Sequence, residues 1–138
     1  MASAFVQQTP PDPAKARASL DAAKAIETRQ GKDRPEVRYW EARLLMLEGR
    51  AEEAVTLMRR AVEEEPKNAE YQYWLGQALE LDNSLFEAIN AYETAFRLNR
   101  RYGDAVRALG RTSMEQHRYK KAREWFARYR KIEPKDVS

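Results

Sequence analysis

The sequence predicts an all-α chain built from repeated antiparallel helix pairs, and three observations carry this prediction. Five glycines and six prolines among 138 residues are too few for the many tight turns of an all-β fold. Hydrophobic residues make up 43% of the chain, which is enough for the core of one domain. Finally, the chain matches itself at an offset of 34 residues, a spacing typical of helical repeats.

The N-terminal part predicts an extended lead-in followed by one helix. Residues 1–13 hold three of the six prolines and few residues that could pack. From residue 14 the chain is rich in alanine, and Ala18 and Ala22 recur at helical spacing until Gly31 ends the pattern. We therefore predict a capping helix over residues 14–31.

The remaining chain predicts three helix pairs, at residues 35–68, 69–102 and 103–136. Each pair carries small and large side chains at fixed places, because two helices approach closely only where small residues face each other. The positions that recur are Tyr39-Trp40 and Tyr73-Trp74, the small residues Ala42, Gly76 and Gly110, the alanines Ala54, Ala88 and Ala122, and the large residues Met58, Tyr92 and Phe126.

The turn inside each pair has its own signal. Gly49, Asn83 and His117 occupy the same repeat position, and all three residue types accept a positive φ. His117, the one histidine of the chain, is therefore interpreted as a turn residue rather than a base or metal ligand. Ser84 resembles a helix N-cap that forms a capping box with Glu87.

These repeat positions resemble those of the tetratricopeptide repeat (TPR) family. Leu75-Gly76 and Leu109-Gly110 are similar to its Leu-Gly pair, and the recurring alanines and large residues are similar to its closely packed positions. Arg100 and Tyr129 depart from the family pattern, which has proline and alanine there. The resemblance implies a right-handed superhelical solenoid of about seven helices that binds proteins rather than catalysing a reaction.

The resemblance also implies a concave groove lined by the first helix of each repeat. Aromatic side chains would anchor a bound peptide or helix, and arginines would pair with its acidic groups. The tyrosines are predicted to be more exposed, whereas the sequence leaves open whether the tryptophans belong to the core or the groove. The predicted groove residues are Tyr39, Trp40, Arg43, Tyr73, Trp74, Gln77, Arg107 and Arg111.

The sequence offers no catalytic or cofactor motif. It contains no cysteine, so thiolate metal sites and a cysteine nucleophile are excluded, and no Ser/His/Asp set appears in the sequence. No phosphate-binding glycine loop and no apolar run long enough to span a membrane occur, and no signal peptide is visible. We expect a non-enzymatic interaction scaffold without cofactor or metal, located in the cytoplasm.

Charge is distributed unevenly along the chain. Residues 35–99 carry 7 basic and 13 acidic groups, net −6, whereas residues 100–138 carry 12 basic and 5 acidic groups, net +7. The basic end could meet an acidic protein or the acidic middle of a second copy. Nucleic-acid binding is not expected, because the aromatic residues between the cations fall at core positions of the repeat.

The end of the last repeat suggests an alternative function. Trp125, Tyr129 and Ile132 have no later helix in the sequence to cover them. This face is then partly exposed, meets another molecule, or belongs to a longer protein. The alternative to groove binding is therefore a structural module that forms homo-oligomers through its terminal helices.

Overall fold

The computed structural model describes residues 14, 15, 17, 18, 20–22 and 34–132. Residues 34–132 form six helices, and no strand occurs among the described residues: α1 Pro35–Leu47, α2 Ala51–Glu64, α3 Ala69–Leu81, α4 Leu85–Leu98, α5 Gly103–Glu115 and α6 Tyr119–Ile132. The described residues between 14 and 22 are helical. The predicted lead-in at 1–13, the remainder of the capping helix to Gly31, and residues beyond 132 lie outside the described residues.

The six helices stack in chain order. Each helix packs on the next one along the chain, and α1 also contacts α3, the first helix of the following pair. Such nearest-neighbour packing is the property that distinguishes a solenoid from a closed bundle. The predicted all-α solenoid of helix pairs is therefore confirmed.

The turn inside each pair adopts the predicted left-handed conformation. The φ angle is +79° at Gly49 and +61° at both Asn83 and His117. The amide of the next residue then donates to a carbonyl of the preceding helix, from Arg50 to Leu45 at 2.9 Å, for example. This bond satisfies a carbonyl that the helix end would leave unpaired. His117 is thus a turn residue, as predicted.

Small residues let the helices of a pair approach closely. Ala54 and Ala88 are fully buried, and Gly76 lies directly against the ring of Tyr92, which is itself fully buried. Gly110 faces Phe126 in the same way in the third pair. A large ring over a glycine fills the space between two helices without a cavity, which explains the small–large spacing of the repeat.

The predicted capping box at the start of α4 does not form. Ser84 is the N-cap residue, but its side chain makes no capping hydrogen bond. The carboxylate of Glu87 instead accepts a 2.6 Å bond from Arg59 on α2. The Ser84 amide, which the box would pair with Glu87, donates to the Leu79 carbonyl at 2.8 Å. In α3, by contrast, the Asn68 side chain caps the amide of Tyr71 at 3.1 Å.

Candidate functional site

The first helices of the three pairs, α1, α3 and α5, line one surface of the protein. This surface carries the predicted binding residues, and we call it the groove. Between α3 and α5 the groove contains an open cavity of about 560 Å³. Four predicted residues meet there, two from each helix. The cavity is lined by Tyr73, Gln77, Glu80, Leu81, Asp104, Arg107, Ala108 and Arg111.

The polar side of this cavity is organised by Glu80. Its carboxylate accepts two bonds from the Arg111 guanidinium, at 2.6 and 2.8 Å, and also accepts the hydroxyl proton of Tyr92. Gln77 donates to the same hydroxyl at 3.0 Å. Burial, followed by the bond to Glu80, raises the pKa of Tyr92 above its usual value. The hydrogen bond to Glu80 likewise raises the pKa of Arg111, because the carboxylate favours the charged guanidinium.

The other predicted residues form an aromatic cluster at the α1 end of the groove. The guanidinium carbon of Arg43 lies 4.0 Å from the ring centre of Trp74 and 4.9 Å from that of Trp40. Arg43 also donates to the Tyr39 hydroxyl at 3.1 Å, and that hydroxyl donates to Glu70 at 3.2 Å. Arg43 is therefore held between two tryptophans by cation–π contacts.

The predicted exposure of the tyrosines is wrong for Tyr39. Its side chain is only 4% exposed and packs on the Tyr71 ring at 5.0 Å, whereas Trp40 is 53% exposed. One residue step turns a side chain by about 100° around a helix, so Trp40 points away from the direction in which Tyr39 is buried. Burial, the main cause, raises the pKa of Tyr39 to about 12. Trp74 and Tyr73 are both half-buried.

Sequence reasoning did not find Tyr102. This residue is the N-cap of α5, and its ring lies 5.4 Å from that of Tyr73. Burial and then the nearby carboxylates of Glu70 and Asp104 raise its pKa. Its repeat positions in the preceding pairs are Arg34 and Asn68, so the 34-residue period gave no signal for an aromatic there.

Two of the three groove arginines pair with carboxylates of the same chain. Arg107 contacts Asp104 at 3.2 Å, and Arg111 contacts Glu80 and also Glu115 at 3.2 Å. The four charged residues of the cavity lining are thus two acids and two arginines. The α3–α5 cavity carries no net charge that would select an acidic partner.

The residues of the predicted terminal interface are partly covered. Trp125, Tyr129 and Ile132 are half-buried and pack against the main core. The Trp125 ring lies 5.2 Å from the Phe96 ring of α4, in an edge-to-face arrangement. This contact joins the third pair to the second one, and self-association through these residues stays a prediction.

Within the described parts of the chain, no three His, Asp or Glu side chains are grouped so as to hold a metal ion. No described helix is both long and apolar enough to cross a membrane.

Stacked helix pairs beside an open groove define a helical-repeat solenoid protein. A family model described as "Tetratricopeptide repeat" matches residues 12–78 and 84–138, and the chain belongs to this family. The matched ranges do not follow the predicted repeat boundaries, which stay predictions. No curated protein matches the chain at a significant level.

Solved structures with the same fold are distant in sequence. MamA (residues 41 to the end) from Desulfovibrio magneticus RS-1 superposes with a TM-score of 0.77 at 19% identity, covering 91% of this chain and 70% of that one. YrrB, described as a TPR protein with an unusual peptide-binding site, gives a TM-score of 0.72 at 21% identity, covering 86% of this chain and 62% of that one. At such identities the likeness shows the fold.

Proposed function

We propose that this protein is a non-enzymatic scaffold that binds a peptide or helix of a partner protein in the groove of α1, α3 and α5. The α3–α5 cavity is the observation that carries the proposal, because it is open and places a half-buried aromatic, Tyr73, beside several hydrogen-bonding groups. A peptide-binding site described for YrrB, which has the same fold, supports it.

The exposed Trp40 ring would be the main apolar anchor at the α1 end. It is one of the few large apolar side chains left half or more exposed, and the guanidinium of Arg43 limits its motion. A pre-positioned ring loses little conformational entropy on binding, which is why tryptophan is frequent at binding hot spots.

Because Arg107 and Arg111 already pair with internal carboxylates, the sequence prediction of acidic groups in the partner gains no support in the cavity. We propose instead that hydrogen bonds to Gln77 and apolar contacts with the aromatic rings hold the partner. An acidic partner group would have to displace Asp104 from Arg107, a weak exposed pair that can exchange.

The test compares two double variants that are matched in chemistry. Trp40→Ala with Arg107→Ala removes an exposed ring and an exposed arginine from the groove. Phe86→Ala with Arg59→Ala removes the same two groups from outside it, since Phe86 is 74% exposed and Arg59 pairs with Glu87. Partners captured by the tagged wild-type protein and identified by mass spectrometry should be lost with the first variant and kept with the second. Equal retention, or equal loss, would refute groove binding.

A further inference from the structure

The outward face of α6 is strongly basic. Fourteen residues from Tyr119 to Ile132 carry six cations and one acid, Glu124. All six cations are exposed and point away from Ala122, the buried residue of this helix. The cations of this basic face are Lys120, Lys121, Arg123, Arg128, Arg130 and Lys131.

The cations of the basic face are not neutralised by carboxylates of the described chain. Within residues 34–132, none of the six makes an ion pair with a carboxylate, whereas Arg50, Arg59 and Arg111 each do. Several like charges on one helix face repel each other, and this repulsion is relieved only when an anion binds.

The repeat register shows that two cations of the basic face stand where the earlier pairs have apolar residues. The position of Arg123 is occupied by Val55 in α2 and Ile89 in α4, and that of Arg130 by Val62 and Phe96. Those four residues are buried or half-buried against neighbouring helices. In α6, the same positions offer guanidinium groups, so an apolar helix would gain little by packing there.

The basic face continues onto the end of α4. The guanidinium carbons of Arg100 and Arg128 lie 5.2 and 5.6 Å from the centre of the same Phe96 ring. Arg100 is the residue found where the family pattern has proline, and no carboxylate of the described chain pairs with it. Two guanidinium groups positioned at one ring can donate charge-assisted hydrogen bonds to a carboxylate.

We propose that the basic face of α6, together with Arg100, docks an acidic segment of a partner polypeptide. A 14-residue helix is about 21 Å long, which a short run of Asp and Glu residues can span. This surface is separate from the groove, so the proposal does not depend on groove binding.

Other polyanions fit the surface less well. The large apolar residues of α6 from Trp125 onward pack against the core, so the half-exposed ring of Tyr119 is the one aromatic that this helix offers for stacking on bases, and no large aliphatic side chain is free to enter a membrane. Residues 35–99 carry a net charge of −6. A polyanion that extends past α6 comes close to these acidic residues and is repelled by them, since charges interact over about 8 Å at physiological salt. A short acidic segment avoids this repulsion.

The experiment measures binding of a short fluorescent poly-glutamate peptide to the full chain by anisotropy at physiological ionic strength. The variant Lys120→Gln/Arg123→Gln/Arg130→Gln should bind about tenfold more weakly than wild type, because three surface ion pairs are lost. The control Arg59→Gln/Arg60→Gln/Lys67→Gln loses the same charge from exposed positions elsewhere and should bind within about twofold of wild type.

Equal weakening by both triple variants would overturn the proposal, since net charge alone would then explain binding. Absence of peptide binding to wild type would overturn it too. Duplex DNA and phosphatidylserine vesicles of equal charge serve as competitors. If either one binds more tightly than the poly-glutamate peptide, that polyanion and not an acidic segment is the partner. If circular dichroism shows that the α6 triple variant is unfolded, Arg123→Gln alone gives the same comparison against Arg60→Gln.

Discussion

Replacing Gly76 by alanine tests the close approach of α3 and α4. A Cβ atom at this position would lie 2.5, 2.7 and 2.9 Å from Cε1, Cδ1 and Cζ of Tyr92. The ring cannot move aside easily, because it is fully buried and its hydroxyl is bonded to Gln77 and Glu80. Overpacking of this kind costs about 1–3 kcal/mol, and three contacts below 3 Å place Gly76→Ala at the upper end.

Helix propensity works in the opposite direction, since alanine in a helix is favoured over glycine by about 1 kcal/mol. The steric cost is larger, so the free energy of unfolding should fall by about 2 kcal/mol. The assay is urea denaturation followed by circular dichroism. A Gly76→Ala protein as stable as wild type, or more stable, would refute the claim that this glycine is required by the Tyr92 ring.

Gly110→Ala is the matched control. Its Cβ would lie 2.7 and 2.8 Å from Cε1 and Cζ of Phe126, but that ring is half-buried and has no hydroxyl to hold it. Phe126 can therefore shift, and the gain in propensity offsets more of the strain. We expect Gly110→Ala to be at least about 1 kcal/mol less damaging than Gly76→Ala.

Three further predictions follow from single side chains. Glu80→Ala should lower stability by about 2 kcal/mol in urea denaturation, since it leaves the buried Tyr92 hydroxyl without its acceptor and Arg111 with Glu115 as its remaining carboxylate. His117→Val should cost about 1–2 kcal/mol and His117→Gly almost nothing, because φ is +61° there; equal melting temperatures would contradict this. The raised pKa of Tyr39 means that the folded state keeps its proton longer than the unfolded state. The stability contribution of Tyr39 is therefore complete below pH 10, and about 2–3 kcal/mol is lost towards pH 12. Burial also raises the pKa values of the other core tyrosines, so Tyr39→Phe should reduce the fall in stability without abolishing it.

Much of the fold could be predicted because its signals are local. A positive φ at Gly49, Asn83 and His117 depends on the conformational freedom of one residue. The contact of Gly76 with Tyr92 depends on side-chain size within one helix pair, which the 34-residue period repeats. The predicted capping box at Ser84 does not form. The carboxylate of Glu87 binds Arg59, which lies on another helix, and local sequence does not reveal such a partner.

The groove was predicted in outline but not in detail. The sequence placed Tyr73, Gln77, Arg107 and Arg111 on the helices that line the α3–α5 cavity. It could not show that Arg111 pairs with Glu80, because those residues are 31 positions apart and belong to different repeats. No periodic signal reports the distance between two helices that are not neighbours in the chain.

The sequence by itself determined that the protein is a solenoid of helix pairs, because periodic spacing of small and large residues fixes which helix faces pack. Only the tertiary structure decided that Tyr39 is buried while Trp40 is exposed, and that the Trp125 ring of α6 turns inward. It also decided that, among residues 34–132, the α6 cations have no acidic partner while Arg107 and Arg111 of the groove are paired. Burial and pairing depend on what the neighbouring helix presents, and the composition of one segment does not contain that information.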